Sequence, residues 1–212
     1  MILLILYISL SIIISYLIGS LPTAYLVGKY FKKIDIRQHG SGNVGATNAL
    51  RVLGTKLGIL VLLVDVFKGV FAIWVAHYMQ RSLGEWFVVT AGLSAILGHM
   101  YTAFLGFKGG KGVATATGVC AAIMPLPFWT ALFIFIVVVF LTKYVSLGSI
   151  LAAIMLTIIK YIEFRFNGTD YFEYDLTHLI FAVVITVFII YKHIPNIKRL
   201  FKGTENKISF KK

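Results

Sequence analysis

The residues best suited to chemistry lie in the segment Phe107-Lys108-Gly109-Gly110-Lys111-Gly112, here called the lysine loop, which joins two strongly apolar stretches. Glycine permits positive φ and leaves backbone N–H groups accessible. The residues that follow, Val113 to Thr117, predict the start of a helix, and helix N-termini favour anions. With two ammonium groups added, this arrangement favours a phosphate or carboxylate site at a membrane surface. A basic cytoplasmic loop that only fixes topology is the alternative.

A second polar segment, Ser41-Gly42-Asn43-Val44-Gly45-Ala46-Thr47-Asn48, precedes a short apolar run that ends at Gly54. Thr47 or Asn48 can cap a short helix that Gly54 terminates. In that helix Arg51 lies one turn from Thr47, on the same side. The planar fork of arginine donors suits phosphate oxygens, although contact with lipid headgroups alone would also explain an arginine here.

Two charged residues and a histidine fall within apolar stretches. Asp65 and Lys68 are three residues apart and share one helix face. Charges inside a membrane are retained as pairs or at functional sites, so these two form either a buried ion pair that supports neighbouring loops or part of the chemistry. His99 leads into the lysine loop and is either a satisfied structural residue or a ligand.

Two further polar groups are predicted at the inner membrane boundary. Ser146 and Ser149 lie where a helix begins, and either hydroxyl could cap that helix or donate to an anion. His193 and Asn196 are three residues apart, just past the last apolar stretch, and could hydrogen-bond a polyol or a phosphate.

The composition indicates an integral membrane protein. Of the 212 residues, 59% are hydrophobic and 13% are charged, and the mean hydropathy is +0.90, whereas soluble domains carry about 25% charged residues. The apolar runs are long and do not alternate, which predicts helices rather than a barrel. The net charge of +12 comes mainly from the loops, a pattern typical of anionic headgroups and topology rather than of nucleic acid.

We predict one all-α multi-pass domain over residues 1–212, with seven transmembrane helices, the N-terminus outside and the C-terminus cytoplasmic. The predicted spans are 2–27, 57–79, 86–107, 113–124, 127–142, 149–162 and 176–191. The stretch 113–142 is divided at Pro125-Leu126-Pro127 because it is too long for one span. This topology brings all the polar groups above to the cytoplasmic face.

Several catalytic patterns are absent from the sequence. The lysine loop is not a Walker A loop, because Leu105 and Gly112 stand where that pattern requires glycine and a hydroxyl residue. There is no Gly-x-Ser-x-Gly elbow, no His-x-x-His or His-Glu-x-x-His metal spacing, and no histidine followed five residues on by aspartate. We therefore expect no metal, no cofactor and an already activated substrate, for which positioning and charge stabilisation suffice.

The polar segments resemble those of the bacterial acyl-phosphate:glycerol-3-phosphate acyltransferases, over nearly the whole chain. The similarity rests on Ser41 to Asn48, Asp65-x-x-Lys68-Gly69, Gly98-His99 with Phe107 to Thr115, Ser146-Leu147-x-Ser149-Ile150, and Lys192-His193-x-x-Asn196-Ile197. Pro195 departs from the pattern, because a residue able to continue a helix is expected there.

The resemblance implies an enzyme of phospholipid synthesis in the bacterial cytoplasmic (inner) membrane. It would transfer an acyl chain from acyl phosphate to the 1-hydroxyl of glycerol 3-phosphate, giving lysophosphatidic acid and phosphate. The expected form is a monomer in the lipid bilayer, supplied by an acyl-phosphate-producing enzyme. A small membrane anion transporter or lipid-binding protein is the alternative, but the outer halves of the spans carry few of the polar residues that a transport path needs.

The same resemblance assigns roles to individual residues. Arg51, Lys111 and Ser149 would hold the donor's phosphate, Ser41 would orient the reacting carbonyl, and His193 would position glycerol 3-phosphate. The proton of the attacking hydroxyl would pass either to a phosphate oxygen or to His193 as general base. The remaining substrate-binding residues would be Gly42, Asn43, Thr47, Asn48, Lys68, His99, Lys108, Gly109, Gly110, Ser146 and Asn196.

Overall fold

Long apolar runs become helices in a bilayer because every backbone N–H and C=O must find its partner within the segment. A computed structural model of the chain describes residues 2–79, 83–167 and 172–208, and within these ranges the long elements are all helices. They are α1 (Ile2–Ser20), α2 (Thr23–Phe31), α3 (Ala46–Leu53), α4 (Thr55–Met79), α5 (Gly84–Met100), α6 (Val113–Ile123), α7 (Pro125–Thr142), α8 (Val145–Phe166), α9 (Phe172–Lys192) and α10 (Ile194–Phe201), with short 3₁₀ turns at Ile36–Gln38 and Ala103–Leu105.

Six segments of the described chain are long and apolar enough to cross a membrane, which confirms an all-helical integral membrane protein. They are Ile5–Phe31, Thr55–Met79, Gly84–Leu105, Pro125–Thr142, Val145–Phe166 and Glu173–Lys192. The remaining apolar helix, α6, has only 11 residues. At 1.5 Å per residue it covers roughly half of the ~30 Å hydrocarbon core.

The first predicted span, 2–27, is two helices rather than one. α1 ends at Ser20 and α2 begins at Thr23, with Pro22 at the N-cap of α2. Proline lacks the N–H that would continue the ladder, and it disfavours the helical conformation in the residue before it. The resulting break leaves the carbonyl of Leu21 available to side chains of other helices.

Several other helix boundaries also differ from the prediction. α5 ends at Met100, seven residues before the predicted limit of 107, and the chain then turns into the lysine loop. α7 begins at Pro125, in the first helical turn where a missing N–H costs nothing, so it has 18 residues and not the short span expected. α8 runs from Val145 to Phe166 and thus includes the serine segment that was placed before a span beginning at 149.

By the contacts between its residues, the chain divides into two compact units, one up to Ala122 and one from Ile123 to the end of the described residues. In the first unit, glycines let helix backbones approach closely. A Cβ on Gly19 or Gly98 would collide with backbone atoms of α5 or α1, respectively, and one on Gly118 would collide with the carbonyl of Val66 in α4. Such small-residue contacts are a common basis of helix association in lipid.

In the second unit, α8 packs between α7 and α9. The hydroxyl of Thr186 in α9 donates to the carbonyl of Ala153 in α8 at 2.8 Å. Toward the C-terminal end of α8 the ammonium of Lys160 lies 2.6 Å from the Asp175 carboxylate. These polar contacts join the two helices at two depths.

Candidate active site

The lysine loop folds back over the end of α5. The N–H groups of Gly109 and Gly110 donate to the carbonyls of Met100 and His99, at 3.2 and 3.0 Å. A Cβ on Gly110 would fall on the imidazole of His99, and Gly112 has a φ of 82° that favours glycine. The expectation that glycine N–H groups of this loop face an anion is therefore wrong for Gly109 and Gly110, whose N–H groups serve the protein's own carbonyls.

The loop nevertheless presents its cationic groups at the start of α6. Lys108 is exposed and Lys111 is half-buried, immediately before the first turn of α6. The first N–H groups of a helix have no partner within it, so the first turn of α6 adds donors two residues after Lys111 in the chain. The geometry suits an anion bound by side chains and by a helix N-terminus.

A buried polar cluster lies beneath this loop, in the first unit. Lys68 is 3% exposed and its ammonium lies 2.8 Å from Asp65 Oδ1 and 2.8 Å from His99 Nδ1. It also donates to the carbonyl of Leu21 at 3.1 Å, while the hydroxyl of Thr23 donates to Asp65 Oδ1 at 3.0 Å. The cluster thus joins the break between α1 and α2 to α4 and α5.

Lys68 and His99 were both assigned to substrate binding, and the structure places them in this interior cluster. His99 is 6% exposed, and its Nδ1 is 3.7 Å from Asp65 Oδ1. Of the two interpretations offered for Asp65 and Lys68, the observed geometry is that of a buried ion pair in contact with neighbouring segments.

The 41–48 segment is organised by the side chain of Asn48. This residue is 2% exposed; its carbonyl oxygen accepts from the Ser41 N–H at 2.9 Å, and its amide donates to the His39 carbonyl at 3.1 Å. The N-cap of α3 is Gly45, which makes no side-chain cap, so the prediction of a Thr47 or Asn48 cap is wrong. Asn48 is unavailable for capping because its amide fastens the preceding loop.

The predicted end of this helix is confirmed, since Gly54 follows Leu53 with a φ of 90°. Ser41 is exposed at the loop surface, and Gly42, Asn43 and Thr47 are half-buried. Arg51 is exposed on α3 and makes no ion pair among the residues described. It is therefore a cation open to an external anion.

A second arginine in this part of the chain, Arg37, differs from Arg51 because it forms an ion pair. The Arg37 guanidinium contacts the Asp35 carboxylate at 2.6 Å. Its hydrogen bond lowers the pKa of Asp35 to about 2. Asp35 is thus ionised at neutral pH and neutralises Arg37 rather than Arg51.

In the second unit, Glu205 gathers three donors. The Ser146 hydroxyl and the Asn196 amide donate to Oε1 at 2.9 and 2.7 Å, and Arg199 Nε donates to Oε2 at 2.7 Å. Burial by itself would raise the pKa of Glu205, but the hydrogen bonds from Asn196, Arg199 and Ser146 outweigh it and hold the pKa below its usual value of 4.5. The carboxylate therefore stays charged and fixes Asn196 in place.

His193 and Ser149 also have defined local partners. His193 is 2% exposed and its Nδ1 lies 2.8 Å from the Ile189 carbonyl. A carbonyl only accepts, so Nδ1 carries the hydrogen, and in the neutral ring Nε2 is the basic nitrogen. The Ser149 hydroxyl donates to the Val145 carbonyl at 2.9 Å.

Pro195, the departure noted in the sequence, does not interrupt a helix. α9 ends at Lys192, His193 is the N-cap of α10, and Pro195 lies in the first turn of α10, where proline is well tolerated. Asn196 follows it at 6% exposure. His193 and Asn196 are consequently held at the junction of two helices.

Sequence reasoning missed the role of Glu205, and of Arg199 beside it. One signal was available: Glu205 is the single carboxylate after Asp175, in a tail otherwise rich in lysine and arginine. Its connection to Ser146, 59 positions earlier, is not readable from spacing.

These features define the class: a polytopic helical membrane protein with exposed cations and oriented amide and imidazole groups suited to an anionic ligand. A family model described as glycerol-3-phosphate acyltransferase matches residues 9–203. The chain therefore belongs to the glycerol-3-phosphate acyltransferase family.

Curated relatives and solved structures agree with this assignment. Glycerol-3-phosphate acyltransferase of Chlorobaculum tepidum is 45% identical over 94% of this chain and 95% of its own, and that of Fusobacterium nucleatum is 45% identical over 94% and 97%. The crystal structure of PlsY (YgiH), an integral membrane glycerol 3-phosphate acyltransferase, is similar in its glycerol 3-phosphate form, with a TM-score of 0.85 and 38% identity over 95% of this chain and 96% of that one. Its lysophosphatidic acid form gives a TM-score of 0.82 and 37% identity over 96% of both chains.

Proposed function

We propose that this protein transfers an acyl chain from acyl phosphate to the 1-hydroxyl of glycerol 3-phosphate, releasing inorganic phosphate and lysophosphatidic acid. The observation that carries the proposal is similarity over 95% of the chain to an enzyme with crystal structures of a glycerol 3-phosphate form and a lysophosphatidic acid form. These two molecules are the acceptor and the product of one acyl transfer.

Acyl phosphate as donor fits the chemistry that the chain offers. It is a mixed anhydride, so phosphate is its leaving group and no enzyme nucleophile is needed. The acceptor oxygen bonds to the carbonyl carbon, the bond from that carbon to the phosphate oxygen breaks, and the hydroxyl proton goes to the departing phosphate. Positioning and charge stabilisation can supply most of the acceleration for such a reaction.

In the first unit, we assign Arg51 and Lys111 to the donor's phosphate and Ser41 to the reacting carbonyl. The exposure of Arg51, the engagement of Arg37 by Asp35, and the position of Lys111 before α6 support these roles. A guanidinium and an ammonium directed at one phosphate would stabilise the charge that develops as it leaves.

In the second unit, we assign Ser149 to the donor's phosphate and His193 with Asn196 to glycerol 3-phosphate. The fixed imidazole tautomer and the Glu205 hydrogen bond to Asn196 support a preorganised acceptor site. The acceptor proton passes to a substrate phosphate oxygen, and His193 orients the hydroxyl through hydrogen bonding.

We further propose seven transmembrane helices, with the N-terminus outside and the protein monomeric in the bacterial cytoplasmic membrane. α6 would be the seventh, inserted with its short length next to the turn at Pro125. An odd number of crossings puts the basic tail on the cytoplasmic side, where an acyl-phosphate-producing enzyme would supply the donor.

The test is product identification with purified protein in lipid. Given ¹⁴C-labelled glycerol 3-phosphate and palmitoyl phosphate, it should form labelled 1-palmitoyl lysophosphatidic acid, with the acyl position established by NMR. Labelled glycerol 3-phosphate that enters liposomes without being acylated would instead support the transporter.

A further inference from the structure

We propose that Asp65, Lys68 and His99 form a buried positioning network that fixes the lysine loop, instead of contacting substrate. This role rests on the proposed function in one respect, that the lysine loop holds a substrate phosphate. The network would set the position of Lys111 through two intermediates, the imidazole of His99 and the backbone of Gly110.

His99 holds the loop in two ways. Its carbonyl accepts the Gly110 N–H at 3.0 Å, and its imidazole occupies the space in which a Cβ of Gly110 would lie. The three atoms that a Cβ on Gly110 would meet first all belong to the His99 ring. The ring thus fills the space below the loop and stops it from moving toward the interior.

The orientation of that ring is set by Lys68. An ammonium can only donate, so Nδ1 of His99 accepts at 2.8 Å, which places the ring hydrogen on Nε2, the atom nearest to where a Cβ of Gly110 would lie. Without Lys68 the ring could rotate about its side-chain bonds, and the support under Gly110 would shift.

Lys68 is anchored from two further elements. Asp65 neutralises it at 2.8 Å from the same helix, and the Leu21 carbonyl accepts from it at 3.1 Å at the break before α2. Thr23 in turn donates to Asp65 at 3.0 Å. The network therefore connects the lysine loop to α2, α4 and α5. Buried charges are costly in a membrane, and positioning of the loop would explain why these are present.

A double-mutant cycle tests the coupling between His99 and Gly110. Gly110→Ala should lower kcat/KM by at least about tenfold, since its Cβ must displace the imidazole. In a His99→Ala background the obstruction is gone, so Gly110→Ala should lower kcat/KM by less than about threefold. Contacting residues commonly couple to this degree. His99→Asn, which retains an acceptor for Lys68, keeps the test valid if His99→Ala does not fold.

Gly109→Ala is the matched control. The atoms nearest its added Cβ are the backbone of His99 and Met100, so removal of the His99 side chain gives no relief. Gly109→Ala should therefore lower kcat/KM by the same factor with His99 present and with His99→Ala. Equal costs of Gly110→Ala in both backgrounds would overturn the proposal.

The kinetic split identifies positioning as opposed to general stability. His99→Ala should raise the KM for acyl phosphate by about tenfold and change the KM for glycerol 3-phosphate by less than about twofold, with His99→Asn intermediate. A rise in KM confined to glycerol 3-phosphate would also support positioning, and it would show that the loop holds the phosphate of the acceptor rather than that of the donor. A fall in kcat with both KM values unchanged would overturn the proposal. If the wild-type protein turns over no acyl phosphate, the proposed function itself fails, and the cycle is then read from the increase in melting temperature on adding glycerol 3-phosphate.

Discussion

Removal of the Glu205 carboxylate should destabilise the protein far more than removal of an exposed acid. Its side chain is 5% exposed and accepts from Ser146, Asn196 and Arg199. Glu205→Ala leaves the serine and asparagine donors without their acceptor, while Glu205→Gln retains a carbonyl oxygen that can accept from both.

The magnitude follows from the three contacts. Hydrogen bonds to a charged acceptor contribute about 1.5–3 kcal/mol each, so the two buried donors together contribute about 3–6 kcal/mol. The Arg199 side chain is 37% exposed, so its ion pair adds only about 0.5 kcal/mol. For a chain of this size, a loss of about 4 kcal/mol lowers the melting temperature by on the order of 10 °C.

Thermal melting in detergent micelles, followed by circular dichroism, measures the difference. Glu205→Ala should melt on the order of 10 °C lower, and Glu205→Gln a few degrees lower. Glu173→Ala is the matched control, an exposed acid in the same unit, and it should stay near the wild type. A Glu205→Ala protein that melts within about 2 °C of the wild type would refute the reasoning.

Three further predictions concern the proposed site and the same carboxylate. Lys111→Ala should lower kcat/KM by about 10²-fold, because one preorganised donor to a leaving phosphate contributes roughly 3 kcal/mol, and activity close to the wild type in steady-state assays would refute the phosphate role. His193→Ala should raise the KM for glycerol 3-phosphate and leave kcat within about tenfold, whereas a loss of about 10³-fold in kcat would make His193 the general base. The pKa of Glu205 is lowered in the folded state, so the stability that its carboxylate contributes is fully present above the ordinary pKa of 4.5 and is lost as the pH falls through the folded value. The melting-temperature difference between the wild type and Glu205→Gln should therefore be constant from pH 7 to about 5.5 and narrow below about 4.5.

Much of the architecture was predictable because lipid imposes strong local rules. Length and apolarity predict both ends of α4 to within two residues, and the proline pair divides 113–142 where α6 gives way to α7. Gly54 ends α3 because only a glycine adopts its φ of 90° without strain. These features depend on neighbouring residues, which a sequence displays directly.

The missed features depend on contacts between distant residues. Asn48 looked like a cap because its type suits one, yet its amide is taken by the backbone of Ser41 and His39. The lysine loop was predicted from its glycines, but the carbonyls that occupy their N–H groups come from the end of α5. Spacing along a chain does not reveal which donor and acceptor meet across a bundle.

The central claim, acyl phosphate as donor, is tested most directly by phosphate release from the purified protein. The protein in lipid mesophase would receive palmitoyl phosphate or palmitoyl-CoA, each with and without glycerol 3-phosphate. The account predicts phosphate release from palmitoyl phosphate that depends on glycerol 3-phosphate, and no turnover of the CoA ester. Acylation of glycerol 3-phosphate by palmitoyl-CoA, with palmitoyl phosphate left intact, would contradict it.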